Sequence, residues 1–147
     1  MARDEDLEPV MLALGNAVFA AQCFEMNLGT TLIALTVAKG DRTKFPDEDA
    51  VYAWLARVDR LTVGQLAGEL RALNVLPEPM INDIGEINRR RIEVVHHFAN
   101  RWVDELDAVE GRVRAIDDLR SDEVLFLEAA RKLQEGTHAL SEMRLIG

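Results

Sequence analysis

Residues Asn88 to Trp102 read NRRRIEVVHHFANRW: three consecutive arginines, a His-His pair, and apolar residues returning every three or four positions. On a helix turning about 100° per residue, Ile84, Ile87, Arg91, Val94, Val95, Phe98 and Trp102 share one face. Arg91 therefore stands inside an apolar stripe. A guanidinium is always charged and costly to bury alone, so a core-facing arginine needs a carboxylate, a ligand or water.

The helical period extends outward from this segment. Pro77 and Pro79 mark a break, so the Arg- and His-bearing helix is expected from about Pro79 to Leu106. Upstream, a first helix is expected from Glu8 to Ala38, with Pro9 tolerated in its first turn and Gly40 as a stop. At 1.5 Å per residue it would be about 45 Å long. Met11, Leu14, Val18, Ala21, Leu28 and Leu32 form one stripe, and Phe19, Met26, Ile33 and Val37 widen it beyond half the circumference. Such a helix packs on two sides, either at the centre of a bundle or against a second subunit. Glu25 lies in that stripe, as misplaced there as Arg91 is on its own helix.

Between these two helices, the loop GDRTKFPDED leads to a short helix over Asp47 to Arg60, with Asp47 as N-cap and Ala50, Val51, Trp54, Leu55 and Val58 inward. Thr62-Val-Gly-Gln65 has the capping-box form and predicts a helix from Val63 to Leu73 that buries Val63, Leu66, Leu70 and Leu73. A last helical region is expected from Gly111 to Arg144, its best stripe being Phe126, Ala129, Ala130, Leu133, Thr137 and Leu140, with Ser121-Asp122 a point where a new N-cap could interrupt it. No alternating strand, internal repeat or low-complexity tract is evident. The expected architecture is all-α, a helical bundle of two to three long helices and two short ones, in a single domain over 1–147 with residues 1–6 as a mobile tail.

Composition agrees. A chain of 147 residues that is 48% hydrophobic can build a substantial core. Only 5% of residues are aromatic, and Leu, Ala, Val and Glu abound, which favours helices. The single Cys23 cannot form an internal disulfide and is most simply a packed thiol. With no thiolate-rich zinc pattern, a reducing cytoplasm is the expected setting. The acidic start MARDEDLEP lacks the basic end and apolar run of a signal peptide, and no run reaches the roughly 18 uninterrupted apolar residues of a membrane span. No membrane association is therefore expected.

A net charge of −9 argues against broad, charge-driven nucleic-acid binding. The distribution is uneven, however. From Gly85 to Trp102 four arginines (89, 90, 91 and 101) face two glutamates (86 and 93), a local charge of +2 against −11 elsewhere. Any anion site is local. Arg89, Arg90 and Arg101 could line a groove beside Arg91, or be paired with Glu86, Glu93 and Asp104 at helical spacings.

Arg91 and His96 are about 140° apart around the helix and cannot easily aim at one spot from a single chain. His96 shares its side with Gly85, Ile92, Ala99 and Val103, a smaller-residue face that could meet the same helix of a second subunit and bring two Arg/His sets together. Neutral His can take a proton from a ribose hydroxyl or return one to a leaving oxygen, and Arg can stabilise charge building on a phosphoryl group. Metal-independent RNA cleavage by internal transesterification needs only these parts. The plainer reading of His96 and His97 is a partly exposed pair with a packing role. Glu25 would approach Arg91, either as a structural counter-charge or to orient the guanidinium toward phosphate.

A di-metal bundle is a competing chemistry. Glu93 to His96 and Glu135 to His138 each have the Glu-x-x-His spacing, and Glu25 could supply a further ligand. Both pairs turn away from their helices' apolar stripes, which suits solvated surface better than inward-pointing ligands. Glycine-rich phosphate loops, a Walker pattern, a His-Glu-x-x-His site and a nucleophile elbow are absent, so no cofactor and no metal is expected. Trp54 and Trp102 read as core.

Arg91-Ile-Glu-Val-Val-His96 resembles the Arg-x4-6-His motif of the HEPN superfamily (higher eukaryotes and prokaryotes nucleotide-binding). The likeness is specific around positions 89 to 98 and looser over the long first helix, short middle helices and late motif-bearing helix. It implies a small helical bundle, commonly a dimeric endoribonuclease toxin or defence factor, with other members non-catalytic. It further implies Arg91 and His96 as catalytic residues, with RNA as substrate and a partner such as an antitoxin. The residue after the motif arginine is typically polar in active family ribonucleases, often Asn; here it is Ile92, a departure that bears on catalysis rather than on fold. Glu25, His97 and Arg90 are supporting candidates. The alternative is a catalytically silent dimeric interaction or regulatory module.

Overall fold

The computed structural model describes residues 1–40 and 45–146, with side chains described through Glu142. Residues 41–44, inside the expected GDRTKFPDED loop, lie outside the described residues. The described residues are 87% helical and include no strand. Six α-helices follow in order: α1 (Asp4–Lys39), α2 (Glu48–Asp59), α3 (Val63–Leu73), α4 (Glu78–His96), α5 (Phe98–Trp102) and α6 (Val109–Ile146), with a 3-10 turn at Glu105–Asp107.

The chain divides into two compact units, the first from Met1–Phe24 with Glu86–Ala129, the second from Glu25–Gly85 with Ala130–Gly147. In the first unit, Val10, Ala13, Ala17, Ala20, Ala21 and Phe24 of α1 are buried, as are Val94, Trp102, Ala115, Leu119 and Phe126. The inward face of α1 is thus its alanine-rich side, not the bulkier stripe through Met11, Leu14 and Val18. Small side chains let helix backbones approach closely, and Phe24 is fully buried. Leu12 and Phe19 point out, 68% and 65% exposed.

In the second unit the caps form as the local sequence dictates. Asp47 accepts from the Ala50 N–H at 2.8 Å. Thr62 and Gln65 exchange side-chain to backbone bonds at 2.9 and 3.2 Å, completing the capping box of α3. Asn74 ends that helix in the left-handed region at φ 54°, which its short polar side chain tolerates. Leu28, Leu32, Trp54, Val58, Val63, Leu66, Leu70, Ile81, Ile84 and Ala130 are buried there. Thr31 and Thr137 share a hydroxyl hydrogen bond at 3.3 Å between α1 and α6.

Two expectations change. Helix α1 begins at Asp4, and the residues read as a tail are held: the Ala2 N–H donates to Asp107 Oδ1 at 3.1 Å and the Arg3 N–H to Asp6 Oδ2 at 3.1 Å. Second, α1 is long and apolar enough to cross a membrane by length and composition, with mean hydropathy 1.4 over its best window, a third of which is buried. A core helix with a wide apolar surface passes the same test.

Candidate functional site

Helix α4 carries the motif and stops sooner than its periodicity predicts. It ends at His96, because His97 leaves helical geometry (φ −123°, ψ 6°), and the chain restarts as the five-residue α5. The interruption is narrow: the His97 N–H still donates to the Glu93 carbonyl at 3.2 Å, and the Arg101 N–H to the His97 carbonyl at 3.0 Å. Beyond α5 the expected single helix to Leu106 is replaced by the 3-10 turn. Arg112 Nη1 bonds the Leu106 and Asp107 carbonyls at 2.9 and 3.3 Å, satisfying acceptors that the end of the turn leaves open. Gly111 lies so close that a Cβ there would overlap the Glu105 carbonyl.

The three consecutive arginines have three different environments. Arg89 extends outward and pairs with Glu86 one turn earlier. Arg90 makes a two-pronged contact with Asp122 of α6, Nε to Oδ1 at 3.0 Å and Nη2 to Oδ2 at 2.8 Å. That hydrogen-bonded carboxylate holds the Arg90 pKa above its ordinary value, against the opposing effect of partial burial. Arg91 is half-buried, and its Nε donates to Asn88 Oδ1 at 3.1 Å. Its hydrogen-bond partner is this neutral amide, and Glu25, half-buried, belongs to the second unit. A guanidinium that keeps part of its surface in water does not require a carboxylate.

His96 and His97 are exposed, and neither imidazole forms a hydrogen bond or ion pair among the described residues. Val95 and Val103 nearby are 40% and 59% exposed. Farther along, Arg101 pairs with Glu105 at 2.9 Å, not with Asp104, and its guanidinium lies 4.3 Å from the centre of the Trp102 ring. Glu105 also accepts from Arg114 at 3.1 Å. The hydrogen bonds from Arg101 and Arg114 hold the Glu105 pKa below its ordinary value.

A cleft of about 130 Å³ opens between α4, α5 and α6, lined by Arg90, Glu93, Val94, Phe98, Arg101, Trp102, Asp118, Leu119 and Asp122. Its two arginines are already paired and three carboxylates line it, which fits the reading of Arg89, Arg90 and Arg101 as paired rather than as the lining of an anion groove. Among the described residues no group of three or more His, Cys, Asp or Glu side chains is placed to hold a metal ion. Glu93 is exposed, Glu135 pairs with Arg131 and His138 with Glu142.

Asp122 is the important residue that sequence reasoning missed. Its signal was present: Ala115, Leu119, Asp122, Phe126 and Ala130 recur every three or four positions, and all are buried. A carboxylate inside an apolar helical stripe calls for a cation by the same rule that singled out Arg91. No family model matches the chain, and neither a curated protein nor a solved structure matches it.

Proposed function

We propose that this chain is a HEPN-like cytoplasmic protein that works as a homodimer and cleaves RNA without a metal, as a toxin or defence factor, with a partner such as an antitoxin. One observation supports this reading above others. Of the four arginines between Gly85 and Trp102, Arg91 alone is held by a neutral amide, while Arg89, Arg90 and Arg101 are paired with carboxylates. Its charge is left for an anion, and it sits half-buried on the helix that ends in exposed His96.

In this mechanism His96 takes the ribose 2′-hydroxyl proton as that oxygen attacks the adjacent phosphorus, the P–O5′ bond breaks, the imidazolium returns the proton to the departing 5′-oxygen, and Arg91 stabilises the added negative charge on the phosphoryl oxygens. Because the two residues are about 140° apart on one helix, the working pair combines Arg91 of one subunit with His96 of its partner. Exposed Val95 and Val103 flank His96 and supply apolar surface for a second copy to cover.

A catalytically silent dimeric module is the second reading, favoured because no group among the described residues hydrogen-bonds the His96 imidazole; general bases are ordinarily held by a third residue. Purified protein incubated with varied RNAs in excess chelator separates the two. Cleavage that is lost in Arg91→Ala and His96→Ala at matched folded concentration supports the enzyme. Intact RNA from folded wild type supports the silent module.

A further inference from the structure

Arg90 and Arg91 are neighbours in sequence with opposite restraints. Arg90 has Nε and one Nη engaged by a carboxylate that is only 7% exposed, so its charge is cancelled and its fork is filled. Arg91 has only Nε engaged, by Asn88 Oδ1 at 3.1 Å, with the amide one turn back on α4. A guanidinium presents five N–H donors in a planar fork. Fixing it through Nε restrains the plane and leaves the Nη groups without a hydrogen-bond partner among the described residues. Because the acceptor is a neutral amide, this restraint keeps the full positive charge. Ile92, next in sequence, has no polar atom with which to do the same.

We propose that Asn88 is a positioning residue for Arg91, presenting its two Nη groups to a phosphodiester oxygen of RNA; this rests on the ribonuclease reading above. The choice of amide over carboxylate is the specific point. Aspartate at position 88 would accept the same hydrogen bond from the same place, yet its charge would compete with phosphate for the guanidinium. Alanine would release the fork without adding charge, so the orienting restraint would be lost while the attraction to phosphate remained.

The test compares wild type, Asn88→Ala and Asn88→Asp, using chelator-resistant cleavage of one RNA and binding of its fully 2′-O-methylated, uncleavable counterpart. The Ala variant should lose about tenfold in kcat with RNA binding changed less than threefold. The Asp variant should bind the uncleavable RNA on the order of tenfold more weakly than the Ala variant, although its hydrogen bond is intact. A purely structural role predicts the reverse order, with Asp close to wild type and Ala impaired, and that result overturns the proposal. Wild-type behaviour in both variants overturns it as well. An inactive, non-binding wild type would instead remove the ribonuclease reading, and this inference with it.

Discussion

Arg90 and Asp122 join α4 to α6 through two parallel hydrogen bonds, at 3.0 and 2.8 Å, with the carboxylate end 7% exposed and the guanidinium end 43% exposed. That difference in exposure makes the two truncations unequal. Arg90→Ala strands a buried carboxylate, whereas Asp122→Ala leaves a cation that already reaches water. Urea unfolding should show a loss of about 2–3 kcal/mol for the former and about 1 kcal/mol for the latter. Equal losses would mean that the pair contributes through packing and not through charge.

Glu105 gives stability a dependence on acid. Its pKa is depressed in the folded protein by hydrogen bonds from Arg101 and Arg114, relative to an ordinary value of 4.5. A depressed carboxylate stabilises the fold fully above its unfolded pKa, and that contribution disappears as pH falls through the lower folded value. Glu105→Gln should therefore show a shallower fall in Tm between pH 4.5 and pH 3 than wild type. Parallel Tm curves for the two proteins across that range would remove the assignment.

Gly111→Ala should destabilise by about 2–3 kcal/mol, because the added methyl group would overlap the Glu105 carbonyl and force the 3-10 turn and α6 apart. Gly136→Ala is the internal control: nothing lies within 4 Å of its Cβ position, so replacement in mid-helix should raise stability by several tenths of a kcal/mol. Thermal melts of the two variants should move in opposite directions.

Thr62→Ala removes one half of the capping box at the start of α3 and should lower stability by about 1 kcal/mol, while Thr62→Ser, which keeps the acceptor, should cost less than half as much. Chemical denaturation would distinguish the pair.

What was legible in the sequence was local. Helix α3 matches Val63 to Leu73 because Thr62 and Gln65 fix its start within four residues, and Asp47 caps α2 for the same reason. The long helices obeyed their period, but the wheel of α1 was turned toward its alanines, since side-chain size alone does not reveal how closely two backbones approach. The stop at His96 carries no proline or glycine to mark it in the sequence. Asp122 read as an N-cap because its neighbours suited one; its real partner lies 32 residues away in sequence. The apolar stripe singled out Arg91, and its half-burial allows a neutral partner, Asn88, where full burial would have demanded a charge.

The central claim is that Arg91 and His96 together cleave RNA by internal transesterification. Its most direct measurement is the chemistry of the cut ends after incubation of RNA with wild type, Arg91→Ala and His96→Ala protein in excess chelator. Wild type should leave 2′,3′-cyclic phosphate and 5′-hydroxyl ends, and both variants should leave the RNA intact. Cleavage that persists in the variants, or no cleavage by folded wild type, would contradict the account.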